Sequence, residues 1–141
     1  AFSCRALTGT PIEVYGDGTQ VSDCVYVGDV ANAFVTALEV TAAGHTPAQP
    51  VEVGPVESCT VNDIACYVAG YAAKRVGGDP VDIVHLPMRP GEVPNAVVKA
   101  NTATLEQIGL DAADFKPLED GIRETVDYFA DSWLPGYRPS L

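Results

Sequence analysis

The residue best suited to holding an anion is Arg89, set in Met88-Arg89-Pro90-Gly91-Glu92. Pro90 fixes its own φ and Gly91 lets the backbone turn sharply, so the guanidinium is presented from an ordered loop. A guanidinium fork matches phosphate oxygens through two parallel hydrogen bonds. The same five residues also read as a surface turn in which Arg89 pairs with Glu92. A second segment, Tyr15-Gly16-Asp17-Gly18-Thr19-Gln20, reads as a tight turn, because glycine tolerates positive φ and Asp bonds its own backbone. It serves either as a hairpin-like connection or as a ligand-facing lip whose N–H groups meet an anion.

Other chemistry is poorly supplied. His45 lies in a Pro-containing loop and is expected to be exposed; His85 closes a strand and reads as packed or hydrogen-bonded. Neither has the Cys or acidic neighbours of a metal site or a triad. The four cysteines, Cys4, Cys24, Cys59 and Cys66, match no zinc spacing and read as small buried hydrophobes in a reducing cytoplasm. Cys59 and Cys66, seven apart, would share one helix face two turns apart, too far for a disulfide. No glycine-rich dinucleotide fingerprint follows a strand. No Tyr is followed four residues later by Lys; Tyr71 and Lys74 are three apart.

The elements that must position these residues are short. Residues 1–10 read as the end of a helix or strand, and Pro11–Gly16 as a strand. Val21–Val27 reads as a second extended segment. Asp29 is expected to cap a helix from Val30 to about Ala43, with Ala33, Phe34, Ala37, Leu38 and Thr41 at helical spacing. Val51–Gly54 reads as a strand. Thr60 and Asp63 suggest a capping box for a helix over Val61–Val76, closed by Gly77. Val81–Leu86 reads as a strand and Met88–Pro94 as a loop. Thr102–Ile108 and Leu118–Trp133 complete the helices, leaving Pro135–Leu141 as a tail. Tyr67, Tyr71, Tyr128 and Phe129 fall at helical spacing and read as core. The pattern is α/β (α+β-like): short strands with about four helices in a single domain over residues 1–141.

Composition narrows the partners. The 141 residues carry a net charge of −11 with 47% hydrophobic residues. That is enough apolar material for a core, and the acidic surface disfavours nucleic acid and anionic membranes. No apolar run is long enough to span a bilayer, and residues 1–7 lack the pattern of a signal peptide.

Read in order, several segments resemble the C-terminal, substrate-binding part of the extended short-chain dehydrogenase/reductases, specifically the NAD-dependent epimerase/dehydratases. The carrying stretches are Pro11–Gly18, Val25-Tyr26-Val27-Gly28-Asp29-Val30-Ala31, Val53-Gly54, and Thr60-Val61-Asn62-Asp63-Ile64. Arg89-Pro90-Gly91-Glu92, Leu105–Leu110 and Leu118–Ile122 follow. The resemblance implies a fragment of a longer cytoplasmic enzyme acting on UDP- or dTDP-sugars. Its N-terminal half would hold NAD and the catalytic Tyr and Lys. Within this chain it implies no catalytic residue, no cofactor and no metal. Arg89 would contact the diphosphate, Glu92 the ribose or the loop itself, and Gly16, Gly18 and Gln20 would line the site. Asp29 would be the helix-capping residue. A non-catalytic binding or assembly module keeping the same fold is the other reading.

Two departures stand out. The family's Arg-Asp-Phe before the Val-Tyr-Val segment is replaced by Ser22-Asp23-Cys24, which removes a phosphate cation worth roughly 1.5–3 kcal/mol. Ala100 stands where the family often has Asp. Separated from its Rossmann half, the chain is expected to expose an apolar patch and to self-associate, as a homodimer or through swapped contacts.

Overall fold

The computed structural model describes residues 1–136. The expected tail therefore lies outside the described residues from position 137, and Pro135 and Gly136 are helical rather than tail. The chain divides into two compact units. The first takes Ala1–Gln20, Thr60–Ala96 and the chain from Glu119 onward; the second takes Val21–Cys59 and Val97–Leu118.

In the first unit, helix α1 (Phe2–Leu7) leads into strand β1 (Ile12–Tyr15). Strand β4 (Ile83–Leu86) lies parallel beside β1, with Ile12 opposite Ile83 and Tyr15 opposite Leu86. β1 therefore pairs across a long crossover, and the following turn is not a hairpin. Inside that crossover lies α3 (Val61–Val76). Its Thr60 hydroxyl accepts the Asp63 amide at 3.1 Å, and the Asp63 carboxylate accepts the Thr60 amide at 2.9 Å, completing the expected capping box. Gly77, at φ 76°, ends the helix in the left-handed conformation that glycine adopts without penalty. The buried face of α3 is mostly alanine. Ala65, Val68, Ala69 and Ala72 pack with Ile12, Val14, Ala6 and Val126, and small side chains let the helix approach the strand pair closely.

The last helix begins as α4 (Leu118–Tyr128), passes through a π-helical turn over Phe129–Trp133, and ends as α5 (Leu134–Gly136). Val126 is its buried anchor, while Ile122 is partly buried. Tyr67 is 42% and Tyr128 57% exposed, so neither belongs to the core expected for them; apolar spacing gave the stripe but not what covers it.

The second unit contains β2 (Val21–Ser22), α2 (Val27–Ala42) and the 3-10 helix Thr102–Ile108. Its buried residues include Ala33, Leu105, Ile108 and Ala112. Regular strand in the 21–27 segment stops at Ser22, and β2 pairs with β3 (Cys59–Thr60) in a separate two-stranded sheet. Helix α2 starts at Val27, three residues earlier than expected, and Tyr26 caps it without a side-chain bond. The Asp29 carboxylate is not a cap: it accepts the Lys116 amide at 2.9 Å. Residues 51–54 form no strand, because their polar bonds go to side chains. The Glu52 amide donates to Thr104 Oγ1 at 2.7 Å, and the Glu52 carboxylate accepts the Asn101 amide at 2.8 Å.

The four cysteines are free thiols; Cys59 is buried but Cys66 is exposed. Cys59 sits in β3 and Cys66 in α3, so the expected shared helix face does not form. Within Ser22-Asp23-Cys24, the Asp23 carboxylate, which is not one of the two departures, accepts the Ser58 hydroxyl at 2.8 Å and the Ala100 amide at 2.6 Å.

Candidate functional site

The parallel pairing of β1 and β4 sets both strand ends side by side, so the segments leaving them emerge at one edge of the first unit. The Gly16 amide donates to the Leu86 carbonyl at 2.9 Å and ties the two exits together. Beyond this point β1 becomes the Gly16–Gln20 turn and β4 becomes the Met88–Asn95 loop. Sequence reasoning singled out both segments, and the fold brings them together.

The turn is braced from within. Gly16 and Gly18 have φ of 78° and 73°. Asp17 Oδ1 accepts the Thr19 amide at 3.0 Å and lies 2.7 Å from the Thr19 hydroxyl. The Thr19 amide and hydroxyl hold the Asp17 carboxyl below its ordinary value. Asn62, in the first turn of α3, donates from Nδ2 to the Asp17 carbonyl at 2.8 Å. Its Oδ1 faces His85 Nε2 at 3.0 Å, which makes that nitrogen the protonated one. Gly18 is required here, because a Cβ at that position would come within 2.0 Å of Asn62 Oδ1. Asn62 was missed in the sequence; its partners lie 45 and 23 residues away, and no local pattern reveals them.

The turn also serves the helix. The Val61 and Asn62 amides donate to the carbonyls of Gln20 and Gly18, both at 3.1 Å. With Asp63 bonded to Thr60, the first amides of α3 are consumed internally, so the helix end is not an open anion cradle.

Arg89 stands opposite the turn. Its guanidinium carbon lies 4.6 Å from the centre of the Tyr15 ring, a cation–π stack. Its Nε donates to Glu92 Oε1 at 2.6 Å, and its amide donates to Glu92 Oε2 at 3.2 Å. A terminal guanidinium nitrogen, Nη2, is also paired with Glu92 Oε1. These bonds, the side-chain one foremost, hold the Glu92 carboxyl below the usual carboxylate range. The Arg89 side chain remains 61% exposed. Gln20 reaches in from the turn, donating from Nε2 to the Tyr15 carbonyl at 3.3 Å and to Met88 Sδ at 3.5 Å. Its Oε1 is buried and has no hydrogen-bond partner among the described residues.

Among the described residues no cluster of three His, Cys, Asp or Glu is placed to hold a metal, and no helix is long and apolar enough to cross a membrane. Neither β1 nor β4 runs directly into a helix, so this edge lacks the strand-to-helix turn that cradles a dinucleotide pyrophosphate, and its residues do not fit NAD.

Residues 1–54 match the NAD dependent epimerase/dehydratase family. Over 139 residues the chain is 30% identical to dTDP-glucose 4,6-dehydratase of Xanthomonas campestris, an alignment taking in 94% of this chain and 38% of that protein. The chain is similar to members of the NAD-dependent epimerase/dehydratase family. Two crystal structures of family members are similar to it. UDP-glucose 4-epimerase of Thermotoga maritima, solved with UDP-glucose, matches with a TM-score of 0.72 at 28% identity, covering 94% of this chain and 38% of that one. UDP-glucose 4-epimerase of Thermus thermophilus, solved with NAD, matches with a TM-score of 0.63 at 31% identity, covering 93% of this chain and 39% of that one. The chain thus spans 38–39% of the length of these three relatives.

Proposed function

We propose that residues 1–141 are the C-terminal, nucleotide-sugar-binding portion of an NAD-dependent sugar epimerase or dehydratase, a longer cytoplasmic enzyme whose redox chemistry lies outside this chain. Arg89 grips the diphosphate of a UDP- or dTDP-sugar. Gly16, Gly18 and Gln20 form the facing lip, and Glu92 accepts from ribose hydroxyls once Arg89 is engaged. The observation that supports this reading best is the placement of one stacked, solvent-facing guanidinium beyond the carboxyl ends of two parallel strands. In open α/β folds ligands gather at that edge. NAD, and the Tyr and Lys that would act on the sugar, belong to the remaining part of the enzyme.

Calorimetric titration of the chain with UDP-glucose and dTDP-glucose tests this. Binding should be weak, because the chain's net charge of −11 opposes an anionic ligand and Ser22 supplies no second cation; the part of it that comes from the exposed Arg89 contact should fall with added salt, which screens that attraction. Arg89→Ala should weaken it by about tenfold or more, the worth of a charged hydrogen bond. Flat titrations, or binding indifferent to Arg89, would remove the proposal.

A second reading, an assembly module without substrate, is favoured by one observation. Val27, Phe34 and Leu38 of α2 are 73%, 73% and 71% exposed. Self-association together with flat titrations would select it.

A further inference from the structure

The anion site proposed above already holds an anion of its own. Both Glu92 carboxylate oxygens are spent on Arg89, one on the guanidinium and one on the amide. The turn that the Glu92 amide closes onto the Arg89 carbonyl, at 3.1 Å, keeps donor and acceptor together. We infer that Glu92 is a specificity-determining residue, an internal competitor for the Arg89 fork that admits multiply charged phosphoryl groups and turns away carboxylates. The inference rests on Arg89 being the anion-binding residue.

The physical case is one of exchange. Each carboxylate of a ligand brings the single charge and two-oxygen geometry that Glu92 already provides, and it must also tolerate the displaced Glu92 nearby. Nothing is gained by the swap, and a tethered competitor acts at high effective concentration. A phosphoryl group carries more charge and three acceptor oxygens, so it gains on the same fork. The Tyr15 ring occupies one face of the guanidinium independently of Glu92. Arg89 therefore keeps its place when Glu92 leaves, and Glu92 acts as a competitor rather than as a support. Rejection by a carboxylate that the loop itself carries is specificity built from an unfavourable exchange.

The test uses the full chain at fixed ionic strength with two probes, inorganic pyrophosphate and malonate. In the native chain pyrophosphate should bind through Arg89, and malonate should not. Glu92→Gln should tighten pyrophosphate by about tenfold or less and bring malonate into the measurable range, so that the preference for pyrophosphate shrinks about fivefold or more. Adding Arg89→Ala should abolish both. If Glu92→Gln leaves the preference unchanged, or weakens pyrophosphate, Glu92 is not a filter while the anion site survives. If no protein in the set shows binding that depends on Arg89, the site reading falls and takes the filter with it.

Discussion

Helices α2 and α3 are both 16 residues long, yet they are finished in opposite ways. α3 has a capping box at its start, a left-handed glycine at its end, Lys74 and Arg75 in its last turn, and five buried residues. α2 has no side-chain cap and buries only Ala33, while Phe34, Val35 and Leu38 face outward at 73%, 54% and 71% exposure. The caps and the buried face of α3 are accounted for by the unit that contains it. The apolar face of α2 is not buried: Phe34, Val35 and Leu38 lie exposed together on one side of the helix. The difference separates an element anchored by its buried face and its caps from one that leaves most of its apolar side chains uncovered.

The largest expected effect comes from taking away the seat of α3. Ile12 is fully buried against Ala65, Val68, Ala69 and Ala72. Ile12→Ala should cost about 2–5 kcal/mol in urea denaturation. Phe34→Ser on α2 should change stability by no more than about 0.5 kcal/mol, because an exposed side chain has little burial to lose. The same substitution should lower the apparent mass of the chain in light scattering at high concentration. A stability loss at Phe34 comparable to that at Ile12 would erase the contrast, as would a native chain that stays monomeric.

A smaller effect probes the turn that caps α3. Gly18 combines φ 73° with a Cβ path blocked by Asn62. Gly18→Ala should cost about 1–3 kcal/mol, since the strained φ and the displaced Asn62 add. Loss of the Asn62–His85 bond should be visible as a shifted His85 Nε2–H resonance. If Gly18→Ala is neutral and His85 is unmoved, the turn does not hold the helix start.

What could be read in the sequence follows the same division. The bounds of α3 and its capping box were legible because Thr60, Asp63 and Gly77 act on their own neighbours. The loop carrying Arg89 and the turn around Gly16 and Gly18 were legible for the same reason. Asp29 misled because its position mimics a cap, while its real partner, the Lys116 amide, is 87 residues away. Val51–Gly54 looked like a strand because its residue types suit one, but Thr104 and Asn101 take the bonds a ladder would need. Helical spacing placed Phe34 and Leu38 on one face without saying whether the chain covers it. At the candidate site, the residue types of Arg89 and Glu92 suggested both phosphate binding and mutual pairing; the choice between them depends on a competing ligand, which no residue pattern encodes.

The smallest effect tests whether the cap of α3 is as local as it looks. Thr60→Ala removes the hydroxyl half of the capping box, leaves the backbone amide at position 60 able to donate to Asp63, and should cost about 1 kcal/mol near neutral pH. Its pH dependence carries the sharper information. The Thr60 hydroxyl and amide hold the Asp63 carboxyl below the ordinary aspartate range in the folded chain. A depressed folded pKa means that the unfolded chain binds the proton first. The stabilisation is therefore complete above about pH 4 to 5 and is lost as pH falls through the lowered value. The native chain and Thr60→Ala should differ most in thermal midpoint at neutral pH and converge in acid. In the variant the Asp63 carboxyl should titrate closer to an ordinary aspartate by NMR. Midpoints that stay equally separated from neutral to strongly acid pH would show that Thr60 acts through packing rather than through Asp63, and the cap of α3 would then rest on the Gly18 and Gln20 carbonyls alone.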